Sequence, residues 1–302
     1  SHKHAYSSLS HGGEKKQETE EDIDAQVPDT DIIENERLKH HSEDGDSDGG
    51  LSAYDRSAKA IACKYDADTP PEALSQNFIA GAALGNALHR VFEQIDYTAE
   101  VHDIDRLIRD CFAEEKIRCK EEWIADVKGM VHNVLNAVLP SVRGAQEGED
   151  SFSLREITAD NRKNEVEFNF NIQDTSLHHY MNGFVDLIFR RGTYYSVLDW
   201  KSDRLNEDTF TCYHSGAEIK KHVDELYSIQ RVLYSYCLLR WLKQFYPEKT
   251  EQDIFTEHFG GIYYVFLRGC NAGTGNGVYA QTWESYHDLE NEYQKIVERR
   301  VY

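Results

Sequence analysis

The sequence predicts an α/β fold with a helical N-terminal part. Apolar residues recur at helical spacing up to about residue 138, and strict alternation with buried runs follows between residues 165 and 201. A long helix, a buried strand and a closing helix complete the pattern. The chain has 302 residues, of which 40% are hydrophobic and 12% aromatic, so it can bury a large core.

The N-terminal segment does not fit this core. Fourteen Asp and Glu stand against four Lys and Arg between Glu14 and Asp48. Such a composition cannot bury enough apolar surface to offset its ordering entropy, so residues 14–50 are predicted to form an acidic disordered linker or insertion after a lead-in over 1–13. One hypothesis is that this segment gates access by mimicking the charge of DNA, in which case its deletion would raise activity at low salt. One domain is predicted over 51–302, mainly helical over 51–150 and α/β over 151–302.

Composition also limits the classes of function. No run of about 18 apolar residues occurs, which predicts no membrane span, and the N-terminus lacks the apolar region of a signal peptide. The six cysteines have no C-x-x-C spacing, as expected for reduced thiols in a cytoplasmic protein. The net charge of −21 means that any nucleic-acid path is a local groove or is completed by partner subunits.

The first predicted helix follows Pro70 and Pro71 and carries Gly81, Gly85 and His89 at four-residue spacing on one face. Glycine inside a helix costs about 0.5–1 kcal/mol, so this bare face predicts close approach of a sheet, another helix or a ligand. The alternative for His89 is a satisfied packing residue. Two further helices are assigned to the core, over Ile104–Phe112 and Glu121–Val138.

The predicted sheet begins with the alternating "EVEFNFNI" and continues as a hairpin that turns at Arg191-Gly192. Asp186 interrupts an otherwise apolar strand, and a buried carboxylate requires a cation or a metal. Alternation then places Asp199 and Lys201 on one face of the next strand. The alternative is a simple charge pair at a strand end.

The second half of the chain predicts a long helix over "DELYSIQRVLYSYCLLRWLKQF", in which Gln230 and Tyr234 are i, i+4 neighbours. An amphipathic helix with Tyr234 half in the core is the alternative. A buried strand "FGGIYYVFLRG" and a closing helix from Trp283 to Val301 follow. The chain contains no G-x-x-x-x-G-K-[ST] phosphate loop, which excludes a nucleotide-driven motor of that kind in this sequence.

These residues together predict metal-assisted hydrolysis. Adjacent antiparallel strands bring opposed residues to about 4.5–5.5 Å, close enough for Asp186 and Asp199 to share one metal. Carboxylate oxygens suit Mg²⁺, and an added imidazole makes Mn²⁺ acceptable. Lys201 would then hold the attacking water and offset transition-state charge.

Four segments resemble the nuclease domain of the RecB-type branch of the PD-(D/E)xK superfamily: "GAALGNALHRVFE", "GFVDLIFRRGTYYSVLDWKSDRL", "YSIQRVLYSYCLLRWL" and "HFGGIYYVFLRG". The resemblance is close from about Asn161 to the end and rests on helical character alone between Glu100 and Asp150. It implies a restriction-endonuclease-like core, in which a central mixed sheet is flanked by helices, so that 51–302 would be a nuclease domain with its catalytic core over 151–302.

The resemblance also implies roles for individual residues. His89, Asp186, Asp199 and the Trp200 carbonyl would bind the metal, and Glu165 would reach a second metal through water. Gly183 with Asp186 matches the G-x-x-D motif, Asp199 with Lys201 the D-x-K motif, and Gln230 with Tyr234 the Q-x-x-x-Y motif. The implied catalytic residues are Asp186, Asp199, Lys201, Gln230 and Tyr234.

The implied function is hydrolysis of DNA phosphodiester bonds, chiefly in single strands, with Mg²⁺ or Mn²⁺ as cofactor and Ca²⁺ as an inhibitor. The setting would be a RecBCD-type helicase–nuclease for double-strand break repair and recombination, with RecC, RecD and the recombinase RecA as partners. Two alternatives remain open at this point: a stand-alone single-strand endonuclease of the same fold, and a recombinase-loading module with a latent site. The sequence also leaves open whether the chain is an excised domain or a complete protein.

Overall fold

The computed structural model describes residues 81–99, 101, 104–143, 150–173, 178–203, 205, 213–214 and 216–299, with backbone only for 169–173, 178–182 and 299. The predicted acidic segment over 14–50 and the prolines Pro70 and Pro71 lie outside the described residues. Within them, the protein is a mixed α/β structure in which a five-stranded sheet lies between two layers of helices. The predicted fold class is confirmed.

Three helices form the first layer: α1 (Ala82–Gln94), α2 (Asp105–Glu114) and α3 (Glu121–Leu135). The prediction that Gly81 lies inside a helix is wrong, because Gly81 is the N-cap of α1 with φ 141°, a conformation that other residues rarely adopt. Gly85 lies inside α1 and is buried, as its place on the bare face predicts.

A short hairpin of β1 (Leu139–Pro140) and β2 (Ser151–Phe152) leads from this layer to the sheet. The sequence gives no alternation for strands of this length, and they were not predicted. Two 3₁₀ turns follow, Leu154–Glu156 and Ala159–Asn161.

The central sheet has the order β3-β4-β5-β6-β7. Its β5 and β6 are parallel, and the other neighbouring pairs are antiparallel. The β4–β5 hairpin turns at Gly192, with φ 57°, and Thr193. This is one residue later than the predicted turn at Arg191-Gly192, because Arg191 still pairs with Tyr194. The strands are β3 (Arg162–Gln173), β4 (His178–Arg191), β5 (Tyr194–Lys201), β6 (Phe259–Phe266) and β7 (Val278–Gln281).

The second layer consists of α4 (Gly216–Leu226), α5 (Ser228–Phe245), α6 (Glu251–His258) and α7 (Tyr286–Arg299). The prediction of one continuous helix over Asp224–Phe245 is wrong, because Tyr227 interrupts it with φ −116° and ψ 10°. Backbone hydrogen bonds of 2.8 Å still run from Tyr227 N to Val223 O and from Arg231 N to Tyr227 O. The interruption is therefore a kink.

Two apolar cores hold the layers together. Leu198 and Trp200 of β5 pack with the first helical layer, where the Trp200 ring stacks on Phe92 at 4.7 Å. Val197 of the same strand packs with the second layer. This alternation places Asp199 and Lys201 on the face of the second layer, as the sequence predicts. In the part of the chain that the structure describes, no helix is long and apolar enough to cross a membrane.

Candidate active site

The candidate site lies where β4 and β5 separate. Paired residues of the two strands end at Leu187 and Leu198, so Asp186 and Asp199 stand just beyond the last pair. Both carboxylates are buried, with 5% and 1% of each residue exposed, and Lys201 is completely buried. The strand pairing thus collects two acids and a base at one end of the hairpin.

Asp186 is held from two directions. Its Oδ2 accepts a hydrogen bond of 2.7 Å from the backbone amide of Trp200, and its Oδ1 lies 3.4 Å from Nδ1 of His89 on α1. Burial alone would raise the pKa of Asp186, but the charge and hydrogen bond of His89 and the Trp200 amide outweigh it and hold that pKa below its ordinary value. His89, four residues after Gly85 on the same face of α1, thus contacts the Asp186 carboxylate.

The β3–β4 ribbon reverses its faces at Asp186. Leu187 packs with the first helical layer, whereas Val185 packs with the second, although residues two apart on a regular strand share a face. The paired strand reverses at the same point: Asn164, opposite Leu187, bonds to the Glu93 carbonyl of α1, and Val166, opposite Val185, packs on the second layer.

Glu165 lies at this reversal, between the two pairs and opposite Asp186. Its φ is 49°, a conformation that costs about 1–2 kcal/mol for a residue other than glycine. Strain of this size persists where the surrounding structure imposes it. The reversal lets the Asp186 carboxylate reach the backbone of β5, and it leaves the Glu165 side chain exposed.

Asp199 and Lys201 form a buried ion pair. Oδ2 of Asp199 lies 2.7 Å from Nζ of Lys201, and the two side chains are 1% and 0% exposed. Nε2 of Gln230 on α5 donates a long hydrogen bond of 3.4 Å to the other oxygen of Asp199. The shared face predicted for the acid and the base is thus a direct contact.

Tyr234 occupies a neighbouring position on α5. It is buried, and its Cε1 atom would lie 3.7 Å from a Cβ added at Gly183 of β4. That distance is an ordinary van der Waals contact, so α5 packs on β4 here and the predicted G-x-x-D and Q-x-x-x-Y motifs lie next to each other.

Trp200 directs its carbonyl toward the same gap. The Lys201 carbonyl accepts a hydrogen bond of 2.8 Å from the amide of Leu267, on the β6 side. Carbonyls of successive strand residues point to opposite edges, and the N–H and C=O of one residue point to the same edge. Since the Trp200 amide donates to Asp186, its carbonyl faces the β4 side.

Several residues at the site were not identified from the sequence. Nζ of Lys201 lies 3.9 Å from the ring centroid of Tyr227 and 5.4 Å from that of Tyr264. Asp203 lies two residues after Lys201, and its Oδ2 accepts hydrogen bonds from the Tyr227 hydroxyl at 2.9 Å and from Nε2 of His222 at 2.5 Å. The available signals were the continued alternation 199, 201, 203 and the spacing of Tyr227 three residues before Gln230.

Arg268 was also missed, although it belongs to the segment "FLRG". Its guanidinium is buried and donates a hydrogen bond of 2.6 Å to the carbonyl of Ser202. The chain after Lys201 is therefore fixed to the end of β6 by a charged donor.

The donor set fits a hard divalent cation. It consists of carboxylate oxygens, a backbone carbonyl directed into the gap and one imidazole, the ligand types that Mg²⁺ and Mn²⁺ accept. Among the described residues, no three or more His, Cys, Asp or Glu side chains are gathered closely enough to hold a metal ion by themselves. Asp186 and Asp199 instead contact His89 and Lys201, respectively.

Comparison with known proteins gives a consistent result. Residues 51–301 match the model of the PD-(D/E)XK nuclease superfamily. The chain is 27% identical over 229 residues to the RecBCD enzyme subunit RecB of Escherichia coli (strain K12), an alignment that covers 67% of this chain and 18% of that protein. It is 26% identical over 212 residues to the subunit of the same name from Haemophilus influenzae, with 66% and 17% covered. The chain thus spans less than a fifth of these relatives.

Proposed function

The chain belongs to the PD-(D/E)XK nuclease superfamily, and we propose that it is a DNA nuclease domain that hydrolyses phosphodiester bonds with the help of a divalent metal, chiefly Mg²⁺. The observation that carries the proposal is the buried contact of 2.7 Å between Asp199 and Lys201, beside the buried carboxylate of Asp186. Two acids and one cation at a strand end match what phosphoryl chemistry requires: metal ligands and a group that offsets negative charge.

We assign the metal to Asp186, Asp199, His89 and the carbonyl of Trp200, with Glu165 reaching a second metal through water. When bound, the metal lowers the pKa of water and neutralises charge on the phosphoryl group. Two hydrogen bonds hold the proposed carboxylate ligands in place: Gln230 donates to Asp199, and the Trp200 amide donates to Asp186. Such supporting contacts orient metal ligands.

Lys201 acts on the reacting groups. Its ammonium holds the attacking water and stabilises the charge that develops on the phosphate, in surroundings where burial strengthens each electrostatic contact. The oxygen of water bonds to phosphorus, the bond from phosphorus to the 3′ oxygen breaks, and the departing oxygen takes up a proton. The products are 5′-phosphate and 3′-hydroxyl ends.

The substrate and the assembly extend this proposal. The relatives are named as RecB subunits of the RecBCD enzyme, so we propose that this domain acts on single strands within a helicase–nuclease for double-strand break repair and recombination, with RecC, RecD and the recombinase RecA as partners. Because the net charge is −21, the proposed DNA path is a local groove of this domain or is completed by partner subunits.

The test is cleavage of circular single-stranded DNA by the full chain with Mg²⁺, with Mn²⁺, with Ca²⁺ and with a chelator. We expect linear and then shortened products with Mg²⁺ and Mn²⁺, with 5′-phosphate ends that a phosphatase and kinase pair can label, and no products with Ca²⁺ or chelator. Cleavage that persists in chelator would overturn the metal-dependent mechanism. If the chain cuts neither circular nor linear single strands with any metal, the nuclease assignment for this chain alone is wrong.

A further inference from the structure

Aromatic and charged side chains of Tyr227, Tyr264, Asp203 and His222 form a cluster next to Lys201. We propose that Tyr227, held by Asp203 and His222, is a positioning residue that fixes the Lys201 ammonium beside Asp199. This proposal rests on the proposed function, because it gives the nuclease a support for its catalytic lysine. None of the three residues belongs to the motifs described above.

The contact between Lys201 and Tyr227 is close and dry. Nζ lies 3.9 Å from the ring centroid of Tyr227, and Lys201 and Tyr227 are 0% and 3% exposed. The ring of Tyr264 stacks on that of Tyr227 at 5.5 Å and 27°, which extends the aromatic wall. A cation over an aromatic face is attracted by the ring quadrupole, and the attraction is larger when water is excluded.

The Tyr227 ring is itself held in place. Its hydroxyl donates a hydrogen bond of 2.9 Å to Oδ2 of Asp203, and His222 packs its edge on the ring at 5.9 Å and 62°. A phenol that donates to a carboxylate is polarised, which increases the electron density of its ring. Asp203 therefore orients the ring and strengthens its attraction for Lys201.

Asp203 is fixed on both its side chain and its backbone. Nε2 of His222 donates to its Oδ2, and the hydroxyl of Tyr213 donates a hydrogen bond of 2.9 Å to its carbonyl oxygen. Burial alone would raise the pKa of Asp203, but the His222 hydrogen bond and charge, together with the charge of Lys201, hold that pKa below its ordinary value. An ionised Asp203 supplies a second negative charge near the lysine.

The kink at Tyr227 agrees with this role. Tyr227 has non-helical backbone angles between α4 and α5, while the helical hydrogen bonds continue through it. The kink allows His222 on α4 and Tyr227 to reach the same oxygen of Asp203. The helix interruption therefore lies at the residue that contacts Lys201.

The support has a mechanistic reason. A lysine has a long, flexible side chain. Its ion-pair partner Asp199 is also assigned to the metal, so the metal ion would compete with the Lys201 ammonium for the Asp199 carboxylate. An aromatic wall attracts the ammonium without accepting a conventional hydrogen bond from it. It thus keeps the ammonium in place while leaving its donors for Asp199, water and phosphate.

The experiment compares Tyr227→Phe and Tyr227→Leu with a matched pair, Tyr263→Phe and Tyr263→Leu. Tyr263 is also buried, at 2% exposed, and its hydroxyl donates to the carbonyl of Pro140, but it belongs to the core on the opposite face of the sheet. The full chain, labelled with ¹³C and ¹⁵N in lysine, reports the side-chain signals of Lys201, which are assigned by their loss in Lys201→Arg.

We expect the Cε protons of Lys201 to be shifted upfield by the Tyr227 ring, to stay shifted in Tyr227→Phe, and to move downfield in Tyr227→Leu but not in Tyr263→Leu. In DNA cleavage at saturating substrate, Tyr227→Leu should lower kcat about tenfold with KM within about twofold. Tyr227→Phe should lower kcat less, because it keeps the ring.

The two readouts separate this proposal from the proposed function. Unmoved Lys201 signals in Tyr227→Leu would overturn the positioning role even if the chain shows no nuclease activity. A full kcat in Tyr227→Leu of an active enzyme would overturn it while the nuclease assignment stands. If Tyr227→Leu does not fold, Asp203→Asn decides: its loss of charge should shift the Lys201 signals and lower kcat, and the absence of both changes would contradict the proposal.

Discussion

The amide of Trp200 and the carboxylate of Asp186 form a hydrogen bond of 2.7 Å between N and Oδ2. This bond joins β4 to the backbone amide of the residue between Asp199 and Lys201. It lies just beyond the last paired residues of the two strands, Leu187 and Leu198. The Asp186 carboxylate thereby takes the place of a backbone acceptor between the two strands. It fixes the position of Asp186, a proposed metal ligand, relative to Lys201.

The substitution Asp186→Asn should abolish cleavage but leave the fold intact. The amide oxygen of asparagine can still accept from Trp200, whereas the loss of negative charge removes a proposed metal ligand. Asp186→Ala should in addition lower the free energy of unfolding by about 1–3 kcal/mol, since it leaves the buried Trp200 amide without its acceptor. Urea unfolding and cleavage assays on both variants check this, and equal stability of the two variants would contradict the anchoring role.

Strand alternation predicted the geometry at the end of β5 correctly. The shared face of Asp199 and Lys201 depends on period-two patterning, and the buried strand β6 depends on a continuous apolar run, both of which the sequence shows directly. Local turn chemistry placed the β4–β5 turn within one residue of its position. The reversal of faces at Asp186 could not be read in this way. It depends on a positive φ at Glu165 and on a hydrogen bond to another strand, and neither leaves a pattern in β4 itself.

The support of Lys201 shows the same limit. Helical periodicity continues through Tyr227, so local sequence predicts one helix. The kink instead coincides with contacts of Tyr227 to Asp203 and Lys201, which are distant in sequence. Gly81 illustrates the opposite case, where the spacing of small residues suggested a helix interior and the backbone instead uses the glycine as a cap.

His89→Gln should reduce cleavage more strongly with Mn²⁺ than with Mg²⁺. The Nδ1 atom of His89 lies 3.4 Å from Asp186, and an imidazole favours Mn²⁺ over the harder Mg²⁺. Rates measured over a titration of each metal give the comparison, with the unsubstituted chain as reference. Equal losses with both metals would indicate that His89 only orients Asp186.

Gln230→Leu should lower kcat about tenfold, because Asp199 loses the donor that orients it. Gln230→Glu has nearly the same shape but places a second carboxylate beside Asp199 in a buried setting. We expect it to lower the melting temperature as well as kcat, because like charges at this distance repel. Calorimetry with cleavage assays checks the pair, and full activity in both variants would remove Gln230 from the site.

Gly261→Ala should destabilise the sheet by about 2–5 kcal/mol. Gly261 of β6 has φ 103°, and an added Cβ would lie 2.6 Å from the carbonyl oxygen of Gln281. The control is Gly129→Ala inside α3, where a Cβ meets nothing within 4 Å. That change should stabilise by about 0.5–1 kcal/mol, because alanine is the better helix former. Denaturant unfolding of both variants gives the difference, and a neutral Gly261→Ala would contradict the close approach.

The central claim is that Lys201 serves hydrolysis at the end of β5, and the most direct measurement compares Lys201→Ala with Lys163→Ala, an exposed lysine on β3. Single-turnover cleavage of single-stranded DNA with Mg²⁺ should fall by at least about 100-fold in Lys201→Ala and remain near the unsubstituted rate in Lys163→Ala. DNA binding measured with Ca²⁺ should be retained in both variants. Undiminished cleavage by Lys201→Ala would contradict the account, because the buried lysine would then have no part in the reaction.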